Sequence, residues 1–113
     1  MAKLKKTTRI EREKNRLLDV FGDLEENKLN TCLALIDRAA FITISLEDLE
    51  DQLNVHGWVE PYKNGENQNG LKKSAAADAH ISLTKNLNAI VKCLLELVPA
   101  SKKESRLTAM MTR

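Results

Sequence analysis

Residues 32–46 read Cys32-Leu-Ala-Leu-Ile-Asp-Arg-Ala-Ala-Phe-Ile-Thr-Ile-Ser-Leu46, and only Asp37 and Arg38 interrupt them with charge. They form the middle of a longer run, 29–53, whose apolar residues fall on several heptad rows at once. Leu29 and Ile36 make one row, Cys32, Ala39, Leu46 and Leu53 a second, and Leu35, Ile42 and Leu49 a third. A helix with one apolar stripe packs on one neighbour, whereas a helix apolar on several sides has to be enclosed. A chain of 113 residues has few elements with which to enclose it. The run therefore reads as a helix covered partly by its own chain and partly by other copies.

The flanking sequence supplies the other elements of a single helical domain, 1–113. Residues 1–7 read as a flexible basic arm, and a first helix runs from about residue 8 to 21 with Ile10, Leu17, Leu18 and Phe21 inward. Gly22-Asp23 makes a turn, and the central helix extends to His56, so that 8–56 holds helices one and two. At 1.5 Å per residue the second is roughly 50 Å long. A straight helix is the first reading. Ile42, Thr43 and Ile44 favour a strand, and Ser45 before Asp48 resembles an N-cap, so a break would fall near Thr43.

Gly57 stands where a C-cap belongs, and 57–74 reads as an extended loop. In it, Asn64-Gly65 and Asn69-Gly70 are turn signals that suit either a tight hairpin or a loop. Trp58 and Tyr62 are expected to pin this loop to the helices. Ser74 caps a third long helix, 75–98, antiparallel to the second, with His80, Leu83, Leu87, Ile90, Leu94 and Leu97 on its packing seam. Pro99 stops it. Ser101-Lys-Lys-Glu104 has the form of a capping box for a short C-terminal helix. Leu107, Met110 and Met111 give that helix an adhesive side, and 99–113 reads as a partner-binding segment that orders on a partner or on the body. The fold class is all-α and oligomeric.

Composition supports long solvated helices: charged residues are 30%, aromatics 4%, with four glycines and two prolines. No stretch reaches the eighteen or so uncharged residues of a membrane span, and the basic N-terminus lacks a signal-peptide core, so no membrane partner is expected. Cys32 and Cys93 lie in apolar runs and read as buried thiols. Together with His56 and His80 they show no chelating spacing, so neither metal nor cofactor is expected. Gly65, Gly70 and Lys72-Lys73-Ser74 do not match a phosphate-binding loop, since Lys and Ser do not follow the second glycine directly. No convergent acid, base or nucleophile set is present, so the chain does not read as an enzyme. His80 on the seam reads as a hydrogen-bonded core histidine.

Net charge is only +2, but it is unevenly spread. Residues 1–16 hold seven basic side chains against Glu11 and Glu13, residues 99–113 are also basic, and the middle is acidic. Lys5, Arg9, Arg12 and Arg16 recur at helical spacing and form a cationic stripe suited to a phosphate backbone, or else an ordinary solvated face. Basic ends on an acidic body suit an anionic partner or head-to-tail contact between copies. Helix, glycine turn, helix is the outline of a DNA-binding helix-turn-helix, but Asp23, Glu25 and Glu26 would repel phosphate at the start of the second helix.

Several stretches, in order, resemble a known family. They are Ala39-Ala40-Phe41, Leu46-Glu47-Asp48-Leu49 to Gly57, Tyr62-Lys-Asn-Gly-Glu-Asn-Gln-Asn-Gly70, Lys72-Lys73-Ser74, Lys85-Asn86 and Leu97-Val98-Pro99. Together they are similar to the short, mostly helical small terminase subunits of tailed bacteriophages and prophages, over roughly residues 30–100. The resemblance implies a non-enzymatic DNA-packaging component in the cytoplasm of an infected or lysogenic bacterial host. Such subunits assemble into rings, bind double-stranded viral DNA and deliver it to a large terminase subunit carrying the ATPase and nuclease. The expected DNA contacts are Lys5, Arg9, Arg12 and Arg16, and the expected partner contacts are Leu107, Met110 and Met111. The competing reading is a helical oligomeric protein-interaction module of phage origin that does not touch DNA.

Overall fold

The breadth of the apolar surface on the central run decides how the chain packs, and the computed structural model, which describes residues 4–112, shows which parts of it are covered. Helix α1 spans Lys6–Phe21, α2 Glu26–His56, α3 Ala75–Glu96 and α4 Lys103–Met111, the last preceded by a short 3-10 turn, Ala100–Lys102. Strands β1, Val59–Lys63, and β2, Asn69–Lys73, lie between α2 and α3. Helix α2 is continuous for 31 residues. The β-branched run at Ile42–Ile44 does not break it, because packing on both sides outweighs a local preference of a few tenths of a kcal/mol per residue.

Helix α1 and helix α3 both run antiparallel to α2, one on each side. Arg9 meets Glu47 and Asp48, and Lys14 meets Asp37; on the other side His80 meets Glu50. The core cluster is Leu17, Phe21, Cys32, Ile36, Ala39, Leu94, Val98 and Met110. Three of its members, Cys32, Ile36 and Ala39, come from the central run, and Ala40, Ile42, Leu46 and Leu53 of that run are buried as well. Each buried Leu or Ile contributes about 1.5–3 kcal/mol relative to exposure. The enclosure is incomplete. Phe41 is 51% exposed and Val55 77%, so this row of α2 is only partly covered.

The molecule measures 62 × 33 × 21 Å with a radius of gyration of 18.0 Å. A rounded chain of this length would give about 13 Å. The elongation comes from α2, whose far end carries the strands.

Residues 57–74, expected to be an extended loop, form an antiparallel β-hairpin with register Val59↔Lys73 through Lys63↔Asn69. Glu60 faces Lys72 across the strands with a 3.7 Å ion pair. Tyr62 lies over Gly70, where an added Cβ would come within 3.2 Å of the ring. Tyr62 thus stiffens the hairpin itself instead of pinning it to the helices. Trp58 does reach a helix, its ring set edge-on to His80 at 5.3 Å. Gly57 enters the hairpin at φ 82°, a backbone angle that residues with a Cβ rarely adopt.

Other local expectations are revised. Ser74 caps α3 by accepting from the Ala77 N–H at 3.1 Å, but no side chain caps α4. The Ser101…Glu104 box does not form, because 100–102 are already wound into the 3-10 turn. Cys93 is exposed rather than buried, since the three- and four-residue seam of α3 puts Leu94, not its neighbour, against α2. By length and composition α2 is apolar enough to cross a membrane, with a mean hydropathy of 1.4 over its best window. That window contains Asp37 and Arg38, and 44% of it is buried inside the protein. It serves here as the core helix of the bundle.

Burial pushes the Cys32 thiol above its ordinary pKa, so the folded chain keeps a proton that the unfolded chain loses from about pH 8.5 upward. The stability linked to this group is complete below that pH and is lost as pH rises through the folded value. With an aromatic disulfide reagent at pH 8, Cys93 should react within the mixing time and Cys32 only at the rate of unfolding. Two equally fast thiols would show that the core around Cys32 is open.

Candidate functional site

Of the four cations expected to line one stripe, two are used within the protein. Arg9 donates from Nη1 to Asp48 Oδ1 at 2.6 Å and from Nη2 to Glu47 Oε2 at 3.2 Å, and its side chain is 15% exposed. These carboxylates, Asp48 first, raise the Arg9 pKa further above its ordinary range. Arg16 donates from Nε and Nη2 to the two oxygens of Glu13 at 2.7 and 3.0 Å. Glu13 is 6% exposed, and the hydrogen bonds to it raise the pKa of Arg16. Lys5 and Arg12 stay exposed and hold no ion pair among the described residues. Lys5 is the N-cap residue of α1 and Arg12 lies two turns into the helix, about 10 Å along its axis. Lys6 stands over the Phe41 ring at 5.0 Å.

Helix α4 is docked by a reciprocal arrangement of arginines. Arg106 of α4 donates to the Val20 carbonyl in the last turn of α1 at 2.7 Å and pairs with Asp23. Arg16 of α1 donates to the Met110 carbonyl in the last turn of α4 at 2.8 Å and to the Thr112 carbonyl at 3.4 Å. The two helices are therefore antiparallel, and each places a guanidinium on carbonyls that the other leaves without an intrahelical partner. Met110 is buried in the core, while Leu107 and Met111 remain exposed. The C-terminal helix thus orders on its own chain, and of its three adhesive residues only Leu107 and Met111 face outward.

Between α1, α3 and α4, with Thr43 of α2 in its lining, lies a shallow crevice of about 250 Å³ that Glu13, Arg16, Leu87, Val91 and Met110 also face. Its one carboxylate gives both oxygens to Arg16, which leaves it poorly suited to act as an acid or base. No group of His, Cys, Asp and Glu among the described residues could hold a metal ion. His80 accepts or donates at 3.0 Å to Glu50 beside the Trp58 ring and so ties the root of the hairpin to α2. What the geometry offers is surface: the part-covered row of α2 at Phe41 and Val55, the hairpin, and the exposed cations Lys5 and Arg12. Comparison with protein-family models, curated proteins and solved structures gave no match for this chain.

The buried Glu13 and the carbonyl contacts of Arg16 were not legible as spacing, because Glu13 sits three residues before Arg16 in a highly charged stretch that reads as solvated. The signal that could have found them is that Glu13 precedes Leu17 by four residues and so continues the inward face of α1.

Replacing Arg106 by alanine should free α4 at a cost of about 1.5–3 kcal/mol, the range for a charge-assisted hydrogen bond. Arg16→Ala should cost about 2–4 kcal/mol, below a fully buried pair because Arg16 is a quarter exposed. Urea unfolding gives the energies, and amide exchange over 103–111 shows the release. Unchanged protection of α4 in both variants would mean that the arginines do not hold it.

Proposed function

We propose that this chain is a non-enzymatic assembly adaptor of the small-terminase kind, a helical subunit that associates with further copies of itself. The observation that carries this is the incomplete enclosure of α2. Phe41 and Val55 lie on one row of that helix and stay more than half exposed, although α1 reaches the same row through Lys6, Arg9 and Lys14. A second copy supplies a surface of the same apolar character, whereas α4, the remaining adhesive element, is already committed to α1 and α3. In the packaging role that the resemblance implies, such an assembly would bind phage DNA and bring it to the large ATPase and nuclease subunit.

The ion pairs of Arg9 and Arg16 bear on how DNA would be held. Their charges are largely neutralised within the chain, so any phosphate contact made by α1 falls to Lys5 and Arg12. The same pairs favour a second reading, a protein-interaction module that reaches DNA only through its partners.

Light scattering of the purified chain at micromolar concentration should give a mass above that of one 12.7 kDa chain, and Phe41→Glu should reduce it. A parent that is monomeric throughout removes the assembly reading. DNA affinity should fall steeply with salt, and Lys5→Ala with Arg12→Ala should shrink the log–log slope by about two units. Arg9→Ala should alter stability more than slope. Absence of any salt-dependent DNA binding by the parent would leave the protein-interaction reading.

A further inference from the structure

The two edges of the hairpin differ in the hydrogen-bonding groups they present. The Ser74 N–H donates to the Trp58 carbonyl at 3.0 Å, and the Asn64 N–H donates to the Gln68 carbonyl at 2.6 Å. With the observed register, the pairs bonded to each other are 58/74, 60/72, 62/70 and 64/68, because inward- and outward-facing pairs alternate in an antiparallel ladder. The outward groups therefore belong to Val59, Pro61 and Lys63 on β1, and to Asn69, Leu71 and Lys73 on β2. Pro61 has no N–H, so the edge of β1 lacks its central donor. The edge of β2 has a donor and an acceptor at each of its outward positions.

Lysines commonly guard such an edge against pairing. Strand β2 carries Lys72 and Lys73, but both are paired within the chain, Lys72 with Glu60 at 3.7 Å and Lys73 with Asp78 at 3.2 Å. Leu71 is 70% exposed, and it shares one face of the hairpin with Val59 and Pro61, both also exposed. A lone two-stranded hairpin is marginal in water, and further strands with an apolar face stabilise it.

We infer that the free edge of β2 is an interface for a second copy of this chain, the two β2 strands pairing antiparallel about a two-fold axis at Leu71. This rests on the reading that copies associate, and it names a surface for one of their contacts. In that register Leu71 faces itself, with each N–H donating to the other's carbonyl, and Asn69 faces Lys73 of the second copy. No like charges stand directly opposite each other across the seam. The apolar faces join into one strip, Pro61, Leu71, then Leu71 and Pro61 of the second copy, on a four-stranded sheet. Pairing β1 of one copy with β2 of the next would meet the missing donor of Pro61. The hairpin contact therefore closes into pairs and does not propagate head to tail. Any ring of copies is built through helical faces.

The test uses the full chain. In a Cys93→Ser background, Leu71→Cys should give a disulfide-linked dimer as the major species under mild oxidation, because facing residues of a bonded pair lie about 5.5 Å apart at Cα. Lys63→Cys on the outer edge of β1 should remain uncross-linked. Leu71→Pro removes only an outward N–H, and by sedimentation velocity it should weaken the paired species at least tenfold. Failure to cross-link at 71, or equal cross-linking at 63, overturns the inference; the former is also the result expected if a strand of another protein occupies this edge. If Leu71→Pro disturbs the hairpin's own fold, the cross-linking comparison decides alone. Assemblies that survive Leu71→Pro but are lost in Phe41→Glu overturn this interface and keep the adaptor reading. A parent that is monomeric at every concentration overturns both.

Discussion

Packing of α2 against α1 on one side and α3 on the other is the constraint from which the rest of the architecture follows. A 31-residue helix with apolar rows on several sides cannot be sheathed by partners of 16 and 22 residues. The cover is best at the level of Ile36, Ala39 and Ala40, where small residues let the neighbouring helices approach. It thins toward Val55. The elongated shape, the part-covered flank at Phe41 and the projecting hairpin all follow from that mismatch of lengths.

Charge organises the same packing. Arg9, Lys14 and Arg16 would be surplus positive charge on an isolated α1, but against α2 and α4 each finds an acidic or carbonyl partner. The exchange of arginines between α1 and α4 fastens a nine-residue helix that would be too short to persist unaided. It also buries Met110 and leaves the Arg16 side chain a quarter exposed. Of the basic residues at the two ends, Arg16 and Arg106 hold those ends together, while Arg9 and Lys14 tie α1 to α2. That leaves Lys5 and Arg12 as the exposed cations of the expected stripe.

The hairpin obeys different rules. It has almost no buried side chain and depends on its own cross-strand contacts: Tyr62 on Gly70, Glu60 with Lys72, and Pro61 at a position where no ladder donor is lost. Its root is tied to the helices by Trp58, His80 and Glu50. An element built this way keeps its shape while presenting its backbone outward.

Much of the helical layout was legible in the residues alone. The 3.6-residue periodicity, Gly57, Ser74 and Pro99 mark where helices begin and end, because these are local backbone preferences. The broad apolar run announced a helix needing cover on more than one side, and Cys32, Ile36, Ala39, Leu46 and Leu53 are indeed buried. The hairpin was only half legible: two Asn-Gly steps signalled turns, but cross-strand register depends on which residues meet, and that is not local. The role of the arginines was not legible at all. Helical spacing places Lys5, Arg9, Arg12 and Arg16 on one stripe, yet their partners Asp48 and the Met110 carbonyl lie tens of residues away, and only the tertiary fold brings them within hydrogen-bonding reach. Local chemistry determined the elements; which charges and apolar faces remain free was decided by contacts between residues distant in the chain.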